Sequence, residues 1–340
     1  MAEETQKPPL SKRLWNIFKI LLAVVLIVFV FSKTNFADVI GLLKKLSPLW
    51  LGISFVLFCM LTLIKSYQYY LLNGRQAPYA RVLYVVITQN AISNFIAGGA
   101  GIASYLTMLS VDEGVKFRKV LSAFVVAKVG DLLSVWIILF ASSVLLWDQI
   151  GAVKYAVIFL LVAILGVVIV FVLAALLRQK FVSLVKAILA WMKLDRISLV
   201  QRGVDFLQLF AEQDSQLVLQ TMFTGLIYSL VYMVVTLFWF YANIRAYSLD
   251  FPFSVVTFVN AFIQLISWVP IQVFGGLGVS ETSLVYLFGI FGLPTAQIAA
   301  MGIGLRVLLY AFTLIVLLYL PLSVLFSRQR SLSQDASRKK

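Results

Sequence analysis

Histidine is absent from the 340 residues, and cysteine occurs once, at Cys59 within an apolar run. A single thiol cannot form a disulfide within the chain, and metal sites built from cysteine and histidine need several such residues. Disulfide frameworks and Cys/His metal centres are therefore excluded. The sequence calls for no cofactor, and it contains no G-x-x-x-x-G-K-[ST] loop that would bind ATP.

Charged residues are also scarce. They make up 12% of the chain, whereas hydrophobic residues make up 62% and the mean hydropathy is +0.99. An ordinary soluble domain carries about a quarter charged residues and about half apolar ones. A water-soluble fold is therefore excluded.

Basic residues dominate the charge that is present, and the formal net charge is +14. The lysines and arginines are spread over the gaps between apolar runs and over both tails. This is the usual bias of membrane proteins toward positive cytoplasmic segments. It argues against nucleic acid as a partner and indicates attraction to anionic lipid headgroups.

The apolar runs predict an all-α polytopic membrane protein. Six runs are long enough to cross a hydrocarbon core of about 30 Å: Leu14–Phe31, Leu49–Leu72, Phe117–Trp147, Ala152–Leu177, Leu217–Tyr241 and Ala296–Phe326. The first ends in Phe31, Ser32 and Lys33. It is therefore interpreted as a retained anchor rather than a cleaved signal peptide, whose apolar core is usually shorter and followed by small residues.

The polar segments are short, so a single transmembrane domain is expected over residues 14–326. A cytoplasmic tail of residues 1–13 precedes it, and a basic cytoplasmic tail of residues 327–340 follows. Residues 38–46 predict a helix that lies on the membrane surface, and residues 178–216 predict cytoplasmic interfacial helices, because both segments are amphipathic.

Two further apolar regions are broken by glycine, and the two breaks resemble each other. The glycines are Gly98, Gly99 and Gly101 in the first region and Gly275, Gly276 and Gly278 in the second. Each break is followed by a short apolar stretch and then by a long apolar run that carries one basic residue. The spacing is nearly the same in both cases, since Lys128 lies 30 positions after Gly98 and Arg306 lies 31 positions after Gly275. The recurrence predicts an internal repeat.

The positions of lysine and arginine predict that both broken regions are re-entrant hairpins. If the hairpins turn back and the N-terminus is cytoplasmic, the cytoplasmic segments hold most of the basic residues. If both regions cross the membrane, the two sides hold nearly equal numbers. The hairpin topology makes the second repeat inverted relative to the first, as in many secondary transporters. The alternative is that the glycines are packing notches between ordinary spans.

Four charged residues are predicted near the middle of the membrane: Lys128, Asp131, Glu281 and Arg306. Each costs at least about 2.5–3.5 kcal/mol there. Asp131 with Lys128, and Glu281 with Arg306, could form buried ion pairs that hold the repeats together. They could also bind a lipid headgroup phosphate together with amide groups of the glycine turns. Lys65 lies close enough to a span end to reach the interface and is interpreted as snorkelling there.

The second repeat contains the motif P-I-Q-V-F-G-G-L-G-V-S-E at residues 270–281, followed by F-G-L-P-T-A-Q-I and L-R-V-L-L-Y. With these residues the chain resembles the flippase-like membrane family that forms the transmembrane part of lysylphosphatidylglycerol synthases, or multiple peptide resistance factors. The resemblance covers residues 40–325.

The first repeat departs from the pattern of that family. There, the first glycine turn is typically followed by an acidic residue and an arginine, and the next span carries Glu-Arg-x-x-Asp. The corresponding positions here are Ala103 and Leu106, and then Ala127, Lys128 and Asp131. A synthase domain is not expected in this chain, so the resemblance does not imply lysylphosphatidylglycerol itself as substrate.

The resemblance implies a lipid translocator that is not an enzyme. The expected partner is an anionic phospholipid or a prenyl-phosphate-linked lipid, and a separate synthase or glycosyltransferase is a further candidate partner. The alternatives are an accessory subunit of such a synthase and an intramembrane lipid-modifying enzyme. The expected location is the cell membrane, with several spans and both termini cytoplasmic. The expected binding residues are the six glycines of the two turns with Lys128, Asp131, Glu281 and Arg306.

The topology can be tested by labelling a cysteine introduced at position 116 in a variant that lacks Cys59. The loop that contains this position is predicted to be cytoplasmic, so a membrane-impermeant reagent should label Lys116→Cys only after the cells are opened. Labelling from outside intact cells would contradict the inverted-hairpin topology.

Overall fold

The computed structural model describes residues 41, 44–191, 200–201, 204, 208, 215–267, 278–293 and 295–320. The predicted spans in this part of the chain are confirmed as long helices: α1 (Pro48–Leu72), α4 (Phe117–Leu145), α5 (Val153–Leu177), α7 (Ser215–Ala246) and α10 (Thr295–Leu317). By length and composition, these five could cross a membrane. The predicted anchor at 14–31 lies outside the described residues, as does most of the predicted surface helix at 38–46.

Shorter helices occupy the two glycine-broken regions. The first contains α2 (Tyr79–Phe95) and α3 (Gly98–Thr107), and α3 ends in a π-helical turn at Met108–Asp112. The second contains α8 (Phe253–Ile266) and α9 (Val279–Ile290). At a rise of about 1.5 Å per residue, α2 is about 25 Å long and α8 about 21 Å, which is too short for a full span but reaches past the middle of the core.

Both ends of the first hairpin lie beside the start of α4. At its base, Arg81 of α2 and Glu113 after α3 form an ion pair with a distance of 3.8 Å between Nε and Oε1. Gly74, between α1 and α2, lies against the side chain of Lys119 in the first turn of α4. The region therefore returns to the side from which it started, as the hairpin interpretation predicts.

The second hairpin has its base at the opposite end of α4. Phe251, just before α8, contacts Phe288 near the end of α9, with ring centroids 5.1 Å apart. A shallow cavity beside them is lined by Gln149, from the loop after α4, together with Pro252 and Phe291. The two hairpins thus start from opposite ends of α4.

Helices α1 and α7, which begin the two repeats, run antiparallel. The amide of Ser47, before α1, donates to the carbonyl of Ala246 at the end of α7, with an N–O distance of 2.8 Å. At the other end, Gln68 of α1 donates to the carbonyl of Gly225, near the start of α7. Since the first helices of the repeats point in opposite directions, the repeats are inverted.

Each hairpin packs against the last helix of the other repeat. Helix α2 packs on α10, where Asn94 donates to the Thr313 hydroxyl at 3.1 Å and the rings of Phe95 and Tyr310 lie 5.1 Å apart. Helix α8 packs on α4 in the corresponding way. This exchange relates the repeats by an approximate two-fold axis that passes between α1 and α7, perpendicular to both helices.

Part of the predicted interfacial segment is helical. Helix α6 covers Gln179–Trp191, and its Phe181 and Val182 are buried. Val182 packs with Val204. The remainder of the segment is described at only a few positions, so its placement on the membrane surface stays a prediction.

The first hairpin closes around a glycine, which gives a test of its packing. A Cβ atom on Gly101 would lie 1.9 Å from Ser93 Oγ and 2.6 Å from the carbonyl oxygen of Gln89, whereas a Cβ on Gly99 would meet nothing within 4 Å. Gly101→Ala should therefore destabilise the protein by about 1–3 kcal/mol, as overpacking does. Gly99→Ala should be close to neutral.

Thermal unfolding of the purified protein in detergent would measure the difference. The double variant Ser93→Ala with Gly101→Ala should recover only part of the loss, because the Gln89 carbonyl remains in place. Equal melting temperatures for Gly99→Ala and Gly101→Ala would show that the two arms are not in this close contact.

Candidate functional site

The charged residues predicted in the membrane form two clusters on different helices. The first, which we call the lysine cluster, consists of Lys65 on α1 with Lys128 and Asp131 on α4. The second, which we call the arginine cluster, consists of Gly278, Ser280 and Glu281 at the start of α9 with Arg306 on α10. Both clusters are largely buried.

Asp131 is the centre of the lysine cluster. Its two carboxylate oxygens accept hydrogen bonds from the Lys65 ammonium at 2.7 and 2.8 Å. The Lys128 ammonium is 3.5 Å from Oδ2. The predicted contact between Lys128 and Asp131 is thus confirmed, but Lys65 is the nearer partner.

The snorkelling interpretation of Lys65 is wrong. Its side chain is only 11% exposed, and its ammonium contacts Asp131 and the Oε1 atom of Gln68, at 2.9 Å. Three acceptors therefore match the three N–H donors of the ammonium. Lys65 turns inward because the face of α1 that carries it packs on α4 and α7, where a carboxylate and an amide oxygen replace water.

A closed ring of hydrogen bonds joins α1, α4 and α7 at this point. Ser229 of α7 donates to Asp131 Oδ1 at 2.7 Å, and Gln68 Nε2 donates to the Ser229 hydroxyl at 2.8 Å. Lys65 completes the ring by donating to both Gln68 and Asp131. A buried polar network stabilises a fold when all its members are paired, which these bonds achieve for the ammonium and for the carboxylate.

Glycine makes the close contact between α4 and α7 possible. A Cβ on Gly130 would lie 2.8 Å from Ser229 Oγ and 3.1 Å from the carbonyl oxygen of Gly225. A Cβ on Gly225 would lie 2.9 Å from a methyl group of Val126. Small residues let membrane helices approach closely, and here this brings the Ser229 hydroxyl to Asp131.

Lys128 is the most accessible charge of the cluster. Its side chain is 34% exposed, compared with 10% for Asp131 and 11% for Lys65. Its ammonium lies 5.8 Å from the ring centroid of Phe124, one turn earlier on α4. The order expected from the sequence is therefore reversed, since Lys65 completes the hydrogen-bond ring and Lys128 lies at its edge.

Sequence reasoning missed Lys65, Gln68 and Ser229 as members of the site. A signal was present for Lys65 and Gln68, because residues three apart share a face of a helix and two strongly polar side chains on one face of a span indicate a polar contact. Ser229 gave no signal, since serine is common in membrane helices.

The arginine cluster fixes the start of α9. Arg306 donates from Nε to Glu281 Oε1 at 2.9 Å, and its Nη2 donates to the Ser280 hydroxyl. The other carboxylate oxygen of Glu281 accepts the backbone N–H of Gly278 at 2.7 Å. Gly278 has a φ of +88°, a conformation that glycine adopts readily. The predicted contact between Glu281 and Arg306 is confirmed, and it anchors the returning helix to α10.

The remaining glycines of the expected binding site lie in different parts of the structure. Gly98 and Gly99 form the first turn of α3, and Gly101 is buried against α2. Gly275 and Gly276 lie outside the described residues, so their expected part in binding stays a prediction. The contact between Phe95, at the end of α2, and Tyr310, one turn after Arg306 on α10, shows how deep the first hairpin reaches.

Because Lys65 and Lys128 share the carboxylate of Asp131, removal of that carboxylate and removal of one lysine should destabilise the protein unequally. Asp131→Asn leaves the buried Lys65 and the half-buried Lys128 without a carboxylate, and breaking a buried ion pair in this way typically costs about 3–5 kcal/mol. Lys65→Met should cost less, because Lys128 and Ser229 still contact Asp131. The measurement is the unfolding temperature in detergent, with Lys116→Met outside the spans as a matched control. A larger loss for Lys65→Met than for Asp131→Asn would contradict the arrangement.

A family model described as "Lysylphosphatidylglycerol synthase TM region" matches residues 16–316, a range that contains both clusters and both hairpins. No curated protein and no solved structure gives a significant match.

Proposed function

The chain belongs to the family of the lysylphosphatidylglycerol synthase TM region, as the motif of the second repeat indicated. From this premise we propose that it translocates a phosphate-bearing lipid between membrane leaflets. In this proposal the lipid crosses without covalent change. The membrane domain and its relation to lipid handling follow from the family, and the translocation is the step that we add.

The observation that carries the proposal is the charge of the lysine cluster. Lys65 and Lys128 share the single carboxylate of Asp131, so the described charges of this cluster sum to one positive charge. Glu281, the other carboxylate within the predicted spans and hairpins, contacts Arg306. An excess charge near the middle of a membrane is costly. A lipid phosphate at Lys128 would offset that cost.

The depths of the two clusters fit a path across the membrane. Lys128 and Arg306 each lie eleven residues after the start of their helix, at Phe117 and Thr295. This corresponds to about 16 Å at helical rise. Because α4 and α10 start from opposite ends of the bundle, both cations lie near the middle of a core about 30 Å thick. A lipid headgroup that passes the middle of the membrane would therefore meet both Lys128 and Arg306.

The two cations offer different contacts to phosphate. A lysine ammonium acts as a compact charge with three rotatable donors, whereas an arginine guanidinium presents its donors in a planar fork that can bind two phosphate oxygens. In the proposed mechanism Asp131 and Glu281 orient these cations and limit the cost of burying them. Movement would then follow a lipid gradient or be coupled to an ion.

Lys128→Gln is the sharpest test of this proposal. It removes the excess charge, but it leaves the contacts of Asp131 with Lys65 and Ser229 in place, so the fold should be preserved. A hydrogen bond to a charged group contributes about 1.5–3 kcal/mol, so transport should fall at least about tenfold. The assay is the exposure of headgroup-labelled phosphatidylglycerol to an impermeant quencher in vesicles that contain the purified protein.

Arg306 provides a second test in the same assay. Arg306→Gln should abolish transport, and Arg306→Lys should restore only part of it, because lysine lacks the planar fork. The double variant Arg306→Gln with Glu281→Leu removes the buried pair without leaving an uncompensated charge, and it should also be inactive. Arg245→Gln is the matched control, since Arg245 pairs with the exposed Asp250 at the end of α7.

The outcomes separate binding from architecture. Normal transport by the stable double variant and by Lys128→Gln would show that the two clusters are structural ion pairs. A lipid that changes covalently during the assay would support an enzyme instead.

A further inference from the structure

The two hairpins differ at one corresponding position. Counted from the first glycine of each turn, Ser104 has the place in the first repeat that Glu281 has in the second. Ser104 lies 24 positions before Lys128, and Glu281 lies 25 positions before Arg306. The Ser104 hydroxyl donates to the carbonyl of Gly101 in its own helix, at 2.7 Å. Helix α3 thus carries a short neutral side chain where α9 carries the carboxylate that pairs with the cation of its repeat.

The first turn of α3 is level with Lys128. The rings of Tyr105 on α3 and Phe124 on α4 lie 5.9 Å apart. The Lys128 ammonium lies 5.8 Å from the centroid of the same Phe124 ring. Because α3 runs back toward the start of α4, the two helices are antiparallel, and one turn beyond this contact brings Gly101 level with Lys128. A carboxylate on this part of the first hairpin would therefore lie near Lys128.

The first hairpin also leaves one side open toward α4. Helix α9 packs along α10, whereas α3 makes few contacts with α4. Leu284 and Phe288 of the second hairpin are buried, but Thr107 and Val111, at the corresponding positions of the first, are exposed. Lys128 itself is 34% exposed. The side of α3 that corresponds to the packed side of α9 is thus accessible, as entry of a ligand to Lys128 requires.

The charges of the two clusters specify how much charge such a ligand should bring. The lysine cluster has one positive charge in excess, whereas the charges of the arginine cluster balance. A ligand with one negative charge therefore leaves neither cluster charged. A phosphodiester carries one negative charge, whereas a phosphate monoester carries about 1.5 to 2 at neutral pH.

A headgroup that also contains an ammonium needs a carboxylate of its own. Asp131 and Glu281 are the acidic residues of the predicted spans and hairpins. The oxygens of Asp131 accept from Lys65 and Ser229, and those of Glu281 accept from Arg306 and from the backbone at the start of α9. Neither side chain is more than 10% exposed. Neither carboxylate can therefore accept a headgroup ammonium without losing a partner that it already has.

The two tyrosine rings that lie beside the lysine cluster are also occupied. A tyrosine ring can hold a cation over its face. The rings of Tyr69 and Tyr232 already face the Lys65 ammonium, which lies 5.7 and 4.7 Å from their centroids. A second cation at these rings would be repelled by Lys65.

We propose that the lysine cluster selects lipids by headgroup charge: a phosphodiester with one negative charge and an otherwise uncharged headgroup binds at Lys128, in the place that the hairpin carboxylate takes in the second repeat. The inference rests on the proposed function and names its substrate class. Phosphatidylglycerol and a prenyl-phosphate-linked sugar both have this chemistry. Phosphatidylethanolamine and lysylphosphatidylglycerol do not, because each adds an ammonium that finds no carboxylate at the cluster.

Selective binding can be measured without transport. Dioctanoyl phosphatidylglycerol, dioctanoyl phosphatidylethanolamine and a prenyl-phosphate-linked hexose are each added to the purified protein in an uncharged detergent, and the rise in melting temperature gives an apparent Kd. At least one of the two singly charged lipids should bind about tenfold or more tightly than phosphatidylethanolamine, because an unpaired charge within the membrane is costly. The tighter of the two identifies the headgroup. Equal apparent Kd values, or no rise with any of the three, would overturn the proposal.

Ser104→Glu tests the place of the phosphate. The introduced carboxylate should pair with Lys128 as Glu281 pairs with Arg306, and it should raise the apparent Kd of the singly charged lipid about tenfold or more because it competes for the same cation. Ser104→Gln is the matched control, since it has the same length without the charge and should retain binding. Equal weakening by both substitutions would overturn the placement beside α3. The comparison of lipids on the wild-type protein remains decisive if Ser104→Glu does not fold.

The charge selection and the translocation fail in different ways. A protein that binds a singly charged lipid selectively but moves no lipid in vesicles would contradict translocation and keep the charge selection. A protein that moves phosphatidylglycerol and phosphatidylethanolamine at equal rates, with both lipids labelled on an acyl chain so that their headgroup charges are unchanged, would keep translocation and overturn the charge selection.

Discussion

The pairing of Asp131 is the interaction on which the arrangement of the bundle depends. A carboxylate in the middle of a membrane cannot rely on water, so its partners must come from other helices. Here they come from Lys65 on α1 and Ser229 on α7, while Lys128 is supplied by the same helix as Asp131. The need to neutralise Asp131 therefore holds α1 and α7, the first helices of the two repeats, against α4, the last helix of the first repeat. The close approach of α4 and α7 at Gly130 and Gly225 is part of the same requirement, since a side chain at either position would separate Ser229 from Asp131.

The inverted repeat follows from a small number of contacts at the ends of helices. The axis passes between the antiparallel helices α1 and α7, and each hairpin packs against the last helix of the other repeat. Neither repeat buries its whole hairpin alone, because α2 packs on α10 as well as on α1, and α8 packs on α4. The exchange also places the end of the first hairpin, at Phe95, beside the part of α10 that follows Arg306. The arginine cluster is thereby in contact with both repeats through one helix.

Much of this arrangement could be predicted from the sequence, for physical reasons. Span positions follow from the length of apolar runs, and the helices begin within two residues of the predicted starts at Leu49, Phe117, Ala152, Leu217 and Ala296. The hairpins were predicted because turning back places most lysines and arginines on one side of the membrane, and the ion pairs because isolated charges in a membrane need partners. The identity of those partners could not be predicted completely. Lys65 lies 66 positions before Asp131, and only the packing of α1 on α4 brings them together. Its distance from the span end suggested snorkelling, but the direction of a side chain on a helix matters as much as its depth.

The two clusters differ in a way that the inverted repeat does not require. In the second repeat the cation on the last helix pairs with the carboxylate of its own hairpin, since Arg306 contacts Glu281. In the first repeat Ala103 and Leu106 of the hairpin carry no charge, and Lys128 on the last helix contacts Asp131 of the same helix, which is held by Lys65 of the first helix. The arginine cluster therefore includes a charged residue of its own hairpin, and its charges balance. The lysine cluster includes no residue of its hairpin, and it has one more cation than carboxylate. An approximate two-fold axis in the backbone thus coexists with an electrostatic difference between the two repeats. In the proposed translocation, the excess positive charge would attract a phosphate to the lysine cluster before it reaches the neutral arginine cluster.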